Sequence, residues 1–533
     1  MPLALLGLLV ALCAVGCDRQ GATVDAKAAA QQPVSQRPWP KLRDDLPAPK
    51  INIVFILIDT LRADRMSLYG YERETTPFID SLAEESVVFE DAAAPAPWTL
   101  PSVPAVFTST FSCEHGMTVD GQKISPDLFT LAERLQRVGY STAQFYANGY
   151  AGPTTGMDRG YELSRNIVGK DFVDLAEWFA KRPADRPSLL YLHTVEPHKP
   201  HQVSMDYVNK LGDMEEKYIG RIHSLRWKYR ELVRVDWSHG DPLGTTDSTE
   251  RQTTLIHRLD RLKPQHDLMY DAAVLWADDH VRTAITQLRQ HHLWDNSLLV
   301  LLADHGEELG EHGAYLHSQS VYQELAHVPL MIRFPHGEFG GTRIANTVSL
   351  LDVLPTICEI LGRNDLAFAA RGESLMPLIR GDSTRADEMR ITTIRMNKKK
   401  YYKPWAQTRG DINVALRFND WKGIYNVSLE TFELYDLVSD PGEQTNVCDQ
   451  HPELVARMAA FARERYAECL ASAHESEVGE LTDDQINDLR DLGYVDSGDD
   501  DAHSAESAPD KPAPATQPTA ETQPALGGGC PVP

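Results

Sequence analysis

At 533 residues, 42% of them hydrophobic, the chain can bury a large core, and its length suggests one big domain with an appendage or two to three smaller ones. Its formal net charge of -25 repels phosphate backbones at long range, so nucleic acid is excluded as a partner unless a local basic cluster exists. The one obvious cluster, Lys398, Lys399 and Lys400 followed by Tyr401 and Tyr402, reads as a solvated strand edge or turn.

The opening MPLALLGLLVALCAVGCDRQ is an apolar run too short to span a membrane comfortably, ending in small residues before Cys17, so residues 1–17 read as an export signal. Ala14, Val15, Gly16 and Cys17 resemble a bacterial lipoprotein processing site, where the cysteine is lipidated and anchors the chain to a membrane. No Lys or Arg precedes the run, and Leu is not three positions before the cysteine. Plain secretion is the second reading and a retained anchor the third. Residues 18–49, rich in Ala, Gln and Pro, form a flexible linker.

The unit that follows, residues 50–389, begins with INIVFILIDT, a continuous apolar run that fits a strand buried on both faces of a parallel sheet and ends in Asp59. A helix is predicted over TPFIDSLAEES, with Thr76 and Pro77 as its start signals. Two further buried strands, PSLLYLHTVEPHKPH and NSLLVLLADHGEELG, end in histidines and in Asp304 with His305. Amphipathic helices such as LFTLAERLQRVGY and DDHVRTAITQLRQ supply the spacers of an α/β sheet. The charged stretch from about 204 to 265 reads as a helical insertion, a candidate lid. Polar and apolar residues alternate in ITTIRM, NVALRFNDWKGIYNV and TFELYDLV, which predicts a small antiparallel α+β subdomain over 390–496. Residues 497–533 lack apolar periodicity and are expected to be disordered. Beyond the signal, Cys113, Cys358, Cys448, Cys469 and Cys530 form neither a disulfide framework nor a zinc motif by spacing; one pair, such as Cys448 with Cys469, is compatible with an oxidising compartment.

Three buried strands thus carry possible metal ligands at their carboxyl ends, where open α/β sheets bind ligands. Carboxylates and an imidazole suit Ca, Mg or Mn. Each motif alone reads equally as a helix cap or a surface loop; their joint occurrence points to one site.

The blocks NIVFILIDTLRADRMSLYGY, TTPFIDSLAEESVVFEDAAAPAPWTLPSVPAVFTS, YLHTVEPHKPH, ADHGEELGEHGAYLHSQSVYQELAHVPLMIRFP, VSLLDVLPTICEILG and LYDLVSDPGEQTNV resemble, in order and spacing over residues 50 to about 496, the sulfatases of the alkaline phosphatase superfamily. The resemblance implies a three-layer α/β fold with a central, mostly parallel sheet, one divalent cation, and hydrolysis of sulfate or phosphate esters. Carried over residue by residue, Asp59, Asp304 and His305 are metal ligands and Thr99 stands at the nucleophile position. His198 matches the histidine near the leaving group, and His317 occupies the place of a lysine in many members. His312 and Gly313 belong to the same block, with no direct role assigned to His312.

The departures alter the expected chemistry. The family motif is Cys or Ser, any residue, Pro, Ser, Arg, whereas this chain reads Thr99, Leu100, Pro101, Ser102, Val103; Thr60 replaces a second acid after Asp59. Threonine cannot be oxidised to formylglycine, so that cofactor is not expected. A threonine hydroxyl held on the cation with Asp59, Asp304 and His305 is expected to attack phosphorus instead, with His198 or His317 protonating the departing oxygen. The expected partner is a phosphorylated or sulfated small molecule, lipid or glycan. The alternatives are a sulfuric ester hydrolase working without formylglycine and an inactive glycan-binding member, which the loss of the motif arginine at Val103 permits. Thr99 and Ser102 as helix caps, His193, Glu196 and His201 as solvated residues or as ligands of a second metal, His115 as a structural histidine, and Arg62 as the partner of a surface acid complete the readings the residues allow.

Overall fold

The run Asn52–Ile58 is apolar at every position but the first, so only a strand covered on both faces can use it. In a computed structural model of the chain it forms β1, inside an eight-stranded sheet. The structure describes residues 40, 42–43, 45–168, 175–198, 202–234, 245–382, 388–396, 411–479, 481–492 and 529–532. The expected export signal, the expected linker up to residue 39, the Lys398–Tyr402 cluster, His201 and residues 497 to 528 lie outside the described residues. No helix among the described residues is long and apolar enough to cross a membrane.

The other strands of the sheet are β2 (Val87–Ala93), β3 (Ser141–Tyr146), β4 (Leu163–Asn166), β5 (Ser188–Thr194), β6 (Ser297–Leu302), β7 (His327–Arg333) and β8 (Thr342–Ser349). They lie side by side in the order β8, β2, β7, β6, β1, β5, β3, β4. Only β7 runs against its neighbours; every other pairing is parallel. Register aligns the strand ends: Leu57 sits beside His193 on one side and Leu302 on the other, and Ile58 beside Thr194. Asp59, Asp304 and the residues after Thr194 therefore emerge together at one edge of the sheet.

The helix predicted at Thr76 and Pro77 forms over Pro77–Leu82. Its N-terminus is capped from afar, because Asp278 accepts the N–H groups of Phe78 and Ile79 while Thr76 Oγ1 bonds Asp80. The insertion is helical, as read: Met205–Leu211, Lys217–Arg234, Thr245–Asp260 and the start of Lys263–Gln290. It has a small core of its own, in which Val208, Ile222, Leu225, Tyr229, Leu259 and Met269 meet Tyr315 from the catalytic unit.

The C-terminal subdomain is an antiparallel sheet of Arg390–Met396, Ile412–Phe418, Trp421–Asn426, Thr431–Asp436 and Cys530–Pro531, covered by the helix Pro452–Ala471. Its first strand grips the segment leading to Thr99: Ile394 N–H donates to the Pro95 carbonyl at 2.9 Å and Thr393 Oγ1 to that of Ala94 at 2.8 Å.

Two expectations are corrected. The cysteines pair as Cys113–Cys469 and Cys448–Cys530, not Cys448 with Cys469, leaving Cys358 buried and reduced. Spacing could not reveal bridges that close over 356 and 82 residues. The tail also does not stay unstructured throughout: Cys530 and Pro531 add an edge strand against Phe432 and Thr431, held by the second bridge.

Candidate active site at the strand ends

Thr99 is the first residue of helix α1 (Thr99–Thr108), which leaves β2 and is buried along its whole length. It is not a cap: the N-cap position is Trp98, and Ser102 Oγ donates to the Asp304 carbonyl at 2.7 Å instead of to the helix. Thr99 Oγ1 lies 3.2 Å from His305 Nε2 and 3.4 Å from Asp59 Oδ2. His305 Nδ1 donates to the Gly306 carbonyl at 2.8 Å, which fixes the tautomer and turns the Nε2 lone pair toward Thr99 and the carboxylates. That nitrogen is 3.5 Å from both Asp59 Oδ1 and Asp304 Oδ2.

Asp59, Thr99, Asp304 and His305 are all 0% exposed. Asp59 Oδ1 and Asp304 Oδ2 have no hydrogen-bond partner, a costly state for buried carboxylate oxygens. One ligand atom each from Asp59, Asp304 and His305 falls within 4.8 Å of the others. Two orphaned carboxylate oxygens and a fixed imidazole lone pair fit a hard divalent cation. Among the described residues the other set of close ligand atoms, Cys448, Asp449 and Cys530, has its two sulfurs bonded to one another.

The electrostatics agree with that fit. Burial pushes Asp59 up, but the imidazoles of His198, His193 and His305 together outweigh it and hold the carboxyl well below the usual range. Burial and the neighbouring Asp59 charge push Asp304 well above it. A divalent cation is what lets two such carboxylates ionise together. Burial also lowers His198 to about 3 and His305 to about 4, so both rings are neutral near pH 7.

His198 and His317 stand together on one side, with ring centroids 5.0 Å apart and His317 4.8 Å from His305. Thr60, in place of a second acid, takes φ 60°, an outlier for a β-branched residue; its hydroxyl turns to the Asp59 carbonyl and its own carbonyl accepts from Tyr270 at 2.6 Å. Val103, in place of the motif arginine, is packed in the core.

Two residues not assigned to this site from the sequence belong to it. Asn148, just past β3, donates from Nδ2 to Asp59 Oδ2 at 2.8 Å and to Thr99 Oγ1 at 3.3 Å. Applying the strand-end rule to STAQFYAN would have found it. His193 is buried within β5, its Nε2 3.5 Å from Asp59 Oδ2, while Glu196 pairs with His280 at 3.0 Å. These two residues turn to different partners, and His201, the third residue of that set, lies outside the described residues. His115 accepts from Met117 N–H at Nδ1 and donates from Nε2 to the Pro101 carbonyl at 3.1 Å, a structural role beneath α1. Arg62 pairs with Asp64 and Glu311, and His312 with Glu324.

A mixed α/β sheet with an acid, an acid–histidine pair and a buried hydroxyl at its carboxyl edge fits the class of ester hydrolases that work with a divalent cation. The comparisons carry this further. The sulfatase family profile matches residues 51–363, and that of the C-terminal region of N-sulphoglucosamine sulphohydrolase matches 310–465. Arylsulfatase K of Xenopus laevis is 32% identical over 474 residues, 80% of this chain and 84% of the relative. The N-acetylglucosamine-6-O-sulfatase of Bacteroides thetaiotaomicron is 24% identical over 466 residues, 74% of this chain and 82% of the relative. Among solved structures, the phosphonate monoester hydrolase of Agrobacterium radiobacter superposes with a TM-score of 0.56 at 18% identity, covering 82% of this chain and 99% of that one. The chain belongs to the sulfatase family; the proteins it resembles include sulfatases by sequence and, by fold, a phosphonate monoester hydrolase.

Proposed function

We propose that the protein hydrolyses phosphoesters, or transfers their phosphoryl group to an alcohol, through Thr99 as nucleophile. The observation that carries this reading is the position of Thr99 Oγ1, 3.2 Å from His305 Nε2 and 3.4 Å from Asp59 Oδ2, on a residue that cannot become formylglycine. Asp59, Asp304, His305 and Thr99 would hold the cation. A divalent ion held there supplies Lewis acidity, lowering the pKa of the hydroxyl and neutralising charge on the transferred group.

The chain's own residues account for the rest. Asn148 orients Asp59 and Thr99 toward one another. Thr99 Oγ1 gives up its proton to the carboxylates facing it, of which Asp59 Oδ2 lies at 3.4 Å; the Oγ1–P bond forms as the bond from phosphorus to the departing oxygen breaks, and that oxygen takes a proton from the His198 and His317 side. Burial holds His198 neutral, suiting it to a hydrogen bond to the ester, whereas His317 Nδ1 is bound to the Glu307 carboxylate at 2.7 Å. His317 is therefore the better-placed proton source. Water then cleaves the phosphothreonine, or an alcohol accepts the group.

A sulfate ester substrate is the second reading, favoured by the sulfatases among the relatives. It requires a route without formylglycine. Export with lipidation at Cys17 places substrate recognition at a membrane face, on an envelope lipid or glycan carrying the ester; two disulfides support an oxidising compartment. The test is a screen of aryl phosphate monoester, aryl phosphodiester and aryl sulfate, with added cations, on wild type and Thr99→Ala. Phosphoester turnover lost in the variant supports the proposal, and turnover of sulfate alone overturns it. Mass spectrometry of the mature N-terminus tests the anchor: a lipidated Cys17 supports it, and an unmodified N-terminus beyond Cys17 rules it out.

A further inference from the structure

Glu307 stands two residues beyond His305 and is 1% exposed. Both of its carboxylate oxygens are engaged by side chains. Oε2 accepts from His317 Nδ1 at 2.7 Å, and Oε1 accepts from Arg226 Nη2 at 2.6 Å. Arg226 is itself buried and comes from α2 (Lys217–Arg234) in the insertion; its Nη1 donates at 2.7 Å to Nε2 of the buried His266, on α3 (Lys263–Gln290). A line of four side chains therefore runs from the insertion to the catalytic centre.

The segment carrying His317 is held elsewhere too. Ser318 N–H donates to the Pro97 carbonyl at 2.9 Å, two residues before Thr99, and Arg395 Nε donates to the Ser318 carbonyl at 2.8 Å. Leu316 and Ser318, on either side of His317, have φ of 76° and 77°. Left-handed backbone at two non-glycine residues persists only where the surroundings impose it, and such positions gather at functional sites. Tyr315, just before them, is buried in the insertion's own core with Tyr229 and Met269.

We propose that Glu307 is a positioning residue for the leaving-group side of the site, and that Arg226 makes the inserted helix α2 part of that apparatus. This rests on the reading of His317 as the proton source. Glu307 accepts from Nδ1–H of the doubly protonated ring and fixes its orientation, leaving Nε2–H as the proton given to the departing oxygen: the N–H bond at Nε2 breaks as the O–H bond forms, and the neutral ring keeps its proton on Nδ1. Arg226 occupies the second carboxylate oxygen and stops Glu307 from turning away. The insertion, on this account, sets how well poor leaving groups depart.

The test uses wild type, Glu307→Gln and the double variant Arg226→Met/Glu307→Gln, because Arg226→Met alone strands a buried carboxylate and can fail to fold. Kinetics are taken on aryl esters of rising leaving-group pKa, in whichever ester class the wild type turns over. In Glu307→Gln, kcat is expected to fall about 10²-fold for the poorest leaving group and less than about 3-fold for 4-nitrophenyl, with KM little changed. The double variant should match the single one. In parallel, ¹⁵N-histidine spectra, with His317 assigned through His317→Gln, should show protonated Nδ1 in wild type and its loss in Glu307→Gln. Equal losses across the ester series, or a His317 tautomer indifferent to Glu307, would overturn the proposal. A double variant far worse than the single one would overturn the part assigned to Arg226. The nucleophile is scored separately: Thr99→Ala with full turnover removes that assignment while the leaving-group slope of Glu307→Gln still decides this one.

Discussion

The floor of the site, formed at the carboxyl ends of β1, β5 and β6, and its rim, formed by α2 and the segment around His317, hold their polar groups in different ways. On the floor, Asp59 and Asp304 are fully buried with one oxygen each lacking a hydrogen bond, surrounded by strands that are apolar on both faces. On the rim, Glu307 has a charged or polar partner on each oxygen. The floor is incomplete as protein alone and, on the proposed function, is finished by a cation; the rim is finished by protein. Removing a group should therefore have opposite effects on stability in the two places.

The sharpest way to break the comparison is Asp304→Asn. Activity should fall by about 10³-fold or more with the loss of a metal ligand, while in chelator the variant should be more stable than wild type by roughly 1–3 kcal/mol, since one of two facing buried carboxylates is gone. Calorimetry with and without chelator reads both; a destabilised Asp304→Asn in chelator would mean that the floor is not a charge trap.

Next in size is an acid sensitivity placed beneath α1. Burial lowers His115 to about 3 from an ordinary 6.5, so the folded protein binds fewer protons than the unfolded chain between those values. Stability should be intact above about pH 6.5 and decline as pH falls toward 3, with a ceiling of roughly 4–5 kcal/mol at about 1.4 kcal/mol per pKa unit. His115→Gln, which keeps a donor for the Pro101 carbonyl, should flatten that slope in denaturant titrations at pH 7, 5 and 4.

The disulfide Cys113–Cys469 ties the helix of the C-terminal subdomain to the short helix Ser112–His115 that follows α1. Cys113→Ser/Cys469→Ser should cost about 2–4 kcal/mol in urea unfolding. Turnover per folded molecule should change little, because the Ile394–Pro95 and Thr393–Ala94 hydrogen bonds still hold the segment before Thr99.

The smallest expected effect sharpens the floor itself. Asn148→Ala removes the donor shared by Asp59 Oδ2 and Thr99 Oγ1 and the acceptor for Tyr150 N–H, and should lower kcat about 10-fold and stability by about 1–2 kcal/mol. An effect on KM alone would assign Asn148 to substrate binding instead.

The same contrast explains what could be read from the sequence. The strands of the floor were legible because INIVFILID and SLLVLLADH are continuous apolar runs, and the acids at their ends gained meaning only from occurring together. Asn148 escaped because STAQFYAN mixes polar and apolar residues and hides a strand that is buried throughout. The rim was not legible: nothing at Arg226 distinguishes it from the other cations of a basic helix, and its role exists only through Glu307, 81 positions away. The bridges and the final edge strand escaped for the same reason, since each depends on a partner chosen by the fold and not by spacing.

The proposed reaction requires Thr99 to bond covalently to the transferred group. Wild type quenched in acid during steady-state turnover of an aryl phosphoester, then digested and examined by mass spectrometry, should show one phosphoryl group on the peptide carrying Thr99, and none in Thr99→Ala. Rapid turnover with that peptide unmodified at every quench time, or with the Thr99→Ala enzyme as active as wild type, would contradict it.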